Sequence, residues 1–174
     1  MARKQSASSP RPPSIPRPRL YTIEVFLVGG PVPDAFGGQV ISRQIQLRGD
    51  QTLHDLHLAI FKAYDRWEHH LYEFNVGKSP RDRSRLYISS GGLRPIADSC
   101  GDPEVITLDA LDLKEGQHFG YIFDMGDYWP HELEVRAIEQ GPLQGDYPII
   151  MEKVGPSPPQ YAEDEEDEAN WEDE

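Results

Sequence analysis

Apolar and polar residues alternate over Leu20–Val28, with Tyr21, Ile23, Val25 and Leu27 in one phase against Thr22 and Glu24. That is the pattern of a strand with one buried face. Gly29-Gly30-Pro31 breaks it, and alternation resumes over Val40–Leu47 with Ile41, Ile45 and Leu47 in phase. Arg43 shares that phase, so it should reach a rim or find a carboxylate. The period then changes. Thr52 followed by Asp55 resembles a capping box, and Leu53, Leu56, Ile60, Phe61, Ala63, Tyr64 and Trp67 share one face at 100° per residue. This predicts a helix over Leu53–Trp67, with Asp55, Lys62 and Arg66 on its polar side, His57 inside the apolar arc and His54 at its margin.

Alternation returns over Leu71–Val76, with His70 just ahead of Tyr72, Phe74 and Val76 in the same phase. Leu86–Ser90 is a weaker strand, 91–103 is turn-rich, and Leu108, Leu111 and Leu113 suggest a short helical turn. Phe119, Tyr121, Phe123 and Met125 alternate up to a turn at Gly126–Pro130, after which His131, Leu133 and Val135 alternate again. That is the clearest hairpin in the chain. The expected fold class is α+β, a mostly antiparallel or mixed sheet packed on one main helix.

Composition assigns the ends. The formal net charge is −13. Residues 1–19 read as a disordered, basic, Pro-rich arm and 162–174 as a disordered acidic tail, leaving one domain over 20–161. So acidic a domain opposes direct DNA binding, and Lys78, Arg81, Arg83 and Arg85, the one basic cluster between the two ends, read as a solvated loop. No apolar run approaches the ~18 residues of a membrane span. The first residues lack the apolar centre of a secretory signal, and Cys100 is alone, excluding a disulfide framework within one chain. A soluble, cytoplasmic protein is expected.

His57, His70 and His131 each occupy an apolar-facing phase of a different element, and a buried imidazole needs partners for both ring nitrogens. Asp124 and Asp127, just before His131, can supply them. The simplest outcome is a structural hydrogen-bonded cluster. The same residue types could instead hold Zn or Mn, with His57, His70, Asp127 and His131 as ligands, or Asp127 could orient His131 as a general base. The chain has no H-E-x-x-H helix, no phosphate-binding glycine loop and no G-x-S-x-G elbow. Trp67 and Trp129 could form an aromatic wall, Trp129 being the better pocket residue because it lies in a turn.

Two blocks carry a resemblance. Thr52, Leu53, Leu56, His57 and Ile60, with His70, Leu71 and Phe74, form the first; Tyr121, Asp124, Gly126, Asp127, Trp129 and His131 form the second. In this order they resemble the plasmid pRiA4b ORF-3-like family, from about Tyr21 to Tyr161. Departures exist. Ser42-Arg43-Gln44-Ile45 lacks the family's Trp, Tyr64-Asp65-Arg66-Trp67 replaces its Phe-Gly-Trp, and Ser157-Pro158-Pro159-Gln160-Tyr161 replaces its closing Cys-Pro-Pro-Glu-Asp. The last weakens any metal scheme needing a Cys or acid there.

The resemblance implies an α+β fold of roll or β-grasp type and no established reaction. Some relatives are carried on plasmids or beside transposases, but no recombinase pattern is present here. The expected function is therefore a small intracellular interaction or accessory module with a protein or peptide partner and no favoured cofactor. Its pocket would lie between helix and hairpin turn, lined by His57, Trp67, His70, Asp124, Asp127, Trp129 and His131. The alternatives are a metal-dependent hydrolase or nucleic-acid-processing accessory using the same residues, and a peptide binder that adds a strand to a sheet edge.

Overall fold

The computed structural model describes residues 19–92, 96–141 and 144–161. The acidic tail and the basic arm, save Arg19, lie outside the described residues. The elements run β1 (Arg19–Leu27), β2 (Ser42–Arg48), α1 (Leu53–Ala63), β3 (Tyr72–Asn75), β4 (Leu86–Ile88), β5 (His118–Phe123), β6 (Trp129–Gln140) and β7 (Ile149–Val154). All seven strands join one sheet in the order β4-β3-β5-β6-β1-β2-β7, and every pairing is antiparallel.

The α+β expectation is corrected by this arrangement. The described chain is mostly β, with one α-helix of 11 residues; the mixed-sheet, roll and β-grasp alternatives go with it. Two physical causes account for the difference. The helix ends four residues early, because Tyr64 leaves helical geometry and Asp65 takes a left-handed φ of 56°. The strand content is also larger than the apolar pattern shows, since β6 extends to 12 residues and β7 adds six that are half-exposed or exposed. Among the described residues no helix is long and apolar enough to cross a membrane.

Period-two alternation sets the buried face. Tyr21, Ile23 and Val25 of β1, Ile45 and Leu47 of β2, Tyr72 and Phe74 of β3, Phe119, Tyr121 and Phe123 of β5, and Trp129, Leu133 and Val135 of β6 all lose contact with solvent. The registers Tyr121↔His131, Phe123↔Trp129 and Tyr72↔Phe123 place these side chains in adjoining rows. Leu53, Leu56, His57 and Ile60 of α1 complete the core.

Arg43 is fully buried in that face without a carboxylate. Its Nε donates to the Ala63 carbonyl at 2.8 Å, Nη1 to Ser42 and Val154 carbonyls at 2.6 and 2.7 Å, and Nη2 to Ser157 Oγ at 2.9 Å. The guanidinium also lies 4.6 Å from the Tyr64 ring centroid. A cation is favoured at this position because the last carbonyls of a helix have no partners within it.

At the other end of α1, Thr52 Oγ1 accepts from Asp55 N at 3.2 Å and Asp55 Oδ2 accepts from Thr52 N at 2.8 Å, the reciprocal capping box. Replacing Thr52 with Ala should therefore lower unfolding free energy by about 1 kcal/mol in a urea titration. An unchanged midpoint would show that packing alone fixes the start of α1.

Candidate functional site

Tyr121 projects from β5 onto the covered face and is 1 % exposed. Its hydroxyl lies 2.8 Å from His57 Nδ1, and its ring centroid is 5.2 Å from that of His131. His57 comes from α1, and one helical turn is enough to set it over β3, where it stacks on Tyr72 at 3.8 Å and 8°. Tyr72 in turn places its hydroxyl 2.9 Å from His54 Nδ1. A chain of imidazoles and phenols thus joins α1 to β3, β5 and β6.

His131 Nδ1 lies 2.9 Å from the Trp129 carbonyl. A carbonyl can only accept, so Nδ1 holds the proton and neutral Nε2 presents a lone pair. That lone pair is buried and has no hydrogen-bond partner among the described residues. Beside it lies Arg66, 7 % exposed, its guanidinium 3.8 Å from the Trp129 ring centroid. Nη1 donates to the Pro158 carbonyl at 3.3 Å, while Nη2 and Trp129 Nε1 have no partner among the described residues. Gly30 also packs against the indole, where an added Cβ would come within 2.7 Å of the ring at a φ of +116°. Only glycine suits both conditions.

Burial sets the charge state. It pushes His57 down to about 3, with His54 and His69 adding to the effect. It pushes His131 down to about 3 as well, with the Arg66 charge next. Arg66 falls to about 10 for the same reason, and the Tyr121 phenol rises well above its ordinary value. The cluster is therefore neutral imidazole and neutral phenol beside one guanidinium.

The family described as "Plasmid pRiA4b ORF-3-like protein" matches the chain over residues 37–168. The chain belongs to that family. A structural neighbour, the protein of unknown function MM3350 from Methanosarcina mazei Go1, superposes with a TM-score of 0.63 at 20% identity, covering 83% of this chain and 74% of that one. At that identity the likeness is one of fold. No curated protein matches the sequence.

Within this pRiA4b ORF-3-like fold, the candidate residues divide into three places. His57 and His131 meet through Tyr121. His70 lies at the rim, its Nε2 2.6 Å from the Tyr161 hydroxyl and 3.5 Å from Asp124 Oδ2. Asp124 is buried at a φ of 58° and holds the hairpin turn, Oδ1 accepting from Gly126 N at 2.9 Å and Asp127 N at 3.3 Å. Asp127 itself is exposed, so Asp124 is the acid that organises this corner. Trp67 is 67% exposed and meets Tyr161 edge-on at 5.5 Å, whereas Trp129 lies in the core. The described residues gather no group of three or more His, Cys, Asp or Glu suited to a metal ion, so His57, His70, Asp127 and His131 are not brought together as a ligand set.

Sequence reasoning missed Tyr72, Tyr121 and Arg66. A signal existed for Tyr121, since a tyrosine in a core phase needs a hydroxyl partner just as a buried histidine does. None existed for Arg66. It falls on the polar side of an ideal helix, and only the early end of α1 turns it inward.

A pH dependence follows from the depressed histidines. In the unfolded chain they protonate near 6.5; in the folded protein they stay neutral to about 3. Stability is complete above 6.5 and falls as pH drops toward 3, by up to about 1.4 kcal/mol per pH unit for each histidine. Urea titrations between pH 7 and pH 4 should give His131→Gln a shallower slope than the parent protein. Parallel slopes would show that His131 does not titrate differently in the two states.

Proposed function

We propose that this protein acts by binding another protein, through the end of the sheet where β1, β3, β5 and β6 meet their connecting loops. The observation that carries this reading is the set of large apolar side chains exposed there. Trp67 and Leu71 lie on the approach to β3, Met125 and Tyr128 in the β5–β6 turn, and Val28 at the exit of β1. The pairings that bring them together are Tyr72↔Phe123 and Leu27↔His131, with Asp124 N donating to the Leu71 carbonyl and Val28 N to the Pro130 carbonyl. Clustered apolar and aromatic side chains rimmed by polar groups favour a protein interface.

His70, Asp124 and Tyr161 supply the polar groups beside that surface. The buried cluster beneath then serves as its rigid support. A hydrolytic reading would need His131 Nε2 within reach of water and substrate, and His131 is only 3% exposed. The exposed, unpaired Cys100 suits a reducing cytoplasm.

Photo-crosslinking amino acids at Trp67 and Tyr128, with Val105 at the opposite end as control, give a direct test in cells. Val105 is also well exposed. The expected outcome is one discrete adduct from both rim positions and none from Val105. Identical products from all three positions, or none from the rim, would contradict the interface.

A further inference from the structure

The sheet has two edges, and they differ. β4 is three residues long, and the segment after it closes its outer side: Ile88 N donates to Ser99 Oγ at 3.0 Å and Cys100 N donates to the Leu86 carbonyl at 2.6 Å. β7 is six residues long and pairs only with β2. Beyond that pairing, the sole hydrogen bond to its backbone among the described residues is the one from Arg43 to the Val154 carbonyl. Among the described residues its outer row of amides and carbonyls has no further partner.

Natural edges are commonly guarded by a bulge or by a lysine laid across them. β7 carries a register shift opposite Gln44 and Ile45. Its lysine, however, is drawn away from the edge, because Lys153 Nζ donates to Asp65 Oδ1 at 3.0 Å beside the end of α1. Met151 and Val154 stay exposed.

Between this edge and α1 runs a furrow with two cavities. One, about 470 Å³, is lined by Leu58, Ala59 and Ile150 among others; the second, about 400 Å³, is lined by Asp65, Met151, Glu152 and Lys153 among others. Lys62 borders both. It makes no ion pair among the described residues, while Asp65 is already held by Lys153 and by Ser157 Oγ at 2.6 Å.

We infer that β7 and this furrow receive an extended peptide as an added strand, with an aliphatic side chain over Leu58, Ala59 and Ile150 and an acidic side chain two residues away against Lys62. The free ladder groups call for an extended backbone. Side chains two residues apart on a strand share a face at roughly 7 Å, which suits two neighbouring cavities. Lys62, which makes no ion pair among the described residues although Glu152 lines the same cavity, selects the acid. A second copy of this chain fits less well, because two-fold pairing of β7 edges would set both α1 helices, each bearing Lys62, on the same face. This site is independent of the apolar rim at the hairpin end.

The test is selection of a random eight-residue display library on the full chain, followed by fluorescence anisotropy with the labelled winning peptides. The expected winners carry an aliphatic residue two positions from an Asp or Glu. Binding should weaken about tenfold or more in Lys62→Glu and in Leu58→Arg, two exposed positions whose replacement spares the core. N-methylating alternate peptide amides should abolish binding, and Trp67→Ala should leave it unchanged. Failure to enrich any peptide, winners insensitive to Lys62→Glu and Leu58→Arg, or a stable dimer dissociated by Leu58→Arg would each overturn the proposal. Loss of binding in Trp67→Ala would overturn it too, by moving the site to the rim.

Discussion

Tyr121 stands between two imidazoles on the covered face of the sheet, and its hydroxyl is the hydrogen-bonding group that faces His57 there. That contact ties α1 to the middle of the β3–β5–β6 region, since Tyr121 also lies against Phe74 and His131. A buried imidazole can be tolerated in such a place only while it is neutral and at least partly satisfied. One nitrogen of each histidine is satisfied, His57 by a phenol and His131 by its own strand's carbonyl. The packing of the helix on the sheet therefore depends on the charge state of these two rings.

Two buried arginines sharpen that dependence. Arg43 and Arg66 enter the same side of the sheet without carboxylates, and both are pulled below the usual guanidinium range by burial. Each is accommodated by an aromatic face and by carbonyl oxygens, Tyr64 and the end of α1 for Arg43, Trp129 and Pro158 for Arg66. Carbonyls and ring faces stabilise a cation without adding a second formal charge to desolvate. The arrangement also fastens the C-terminal segment. Ser157 receives Arg43, while Gln160 accepts from Trp67 N and Glu68 N at 3.0 and 3.2 Å and donates to the Glu68 carbonyl at 2.8 Å. Ser157 and Gln160 thus clamp the loop that delivers His70 and Trp67.

Much of the fold was legible because it rests on local periodicity. β1, β2, β3, the β5–β6 hairpin and the Thr52 cap follow from alternation and from one capping pair. The fold class was not legible. β7 is an edge strand with polar and exposed positions, so alternation had no buried face to mark. Periodicity overextends the helix because Tyr64 and Trp67 continue its apolar arc, yet Asp65 adopts a left-handed backbone that no periodicity reveals. At the site, the inward phases of His57 and His131 were readable and their convergence was not, since it depends on the β5–β6 register and on Tyr121. Trp67 and Trp129 exchanged places for two separate reasons. The early end of α1 puts Trp67 at the surface, and the hairpin pairs Trp129 with Phe123 in the core.

The packing of α1 on the sheet rests on two buried, neutral rings, and nitrogen-detected NMR of the full chain with labelled histidine reads that state directly. From pH 7 down to about 4, His131 should show a protonated Nδ1 and a lone pair on Nε2, and His57 should remain uncharged. Either ring taking up a proton near its ordinary value of 6.5 while the protein stays folded would contradict the central claim.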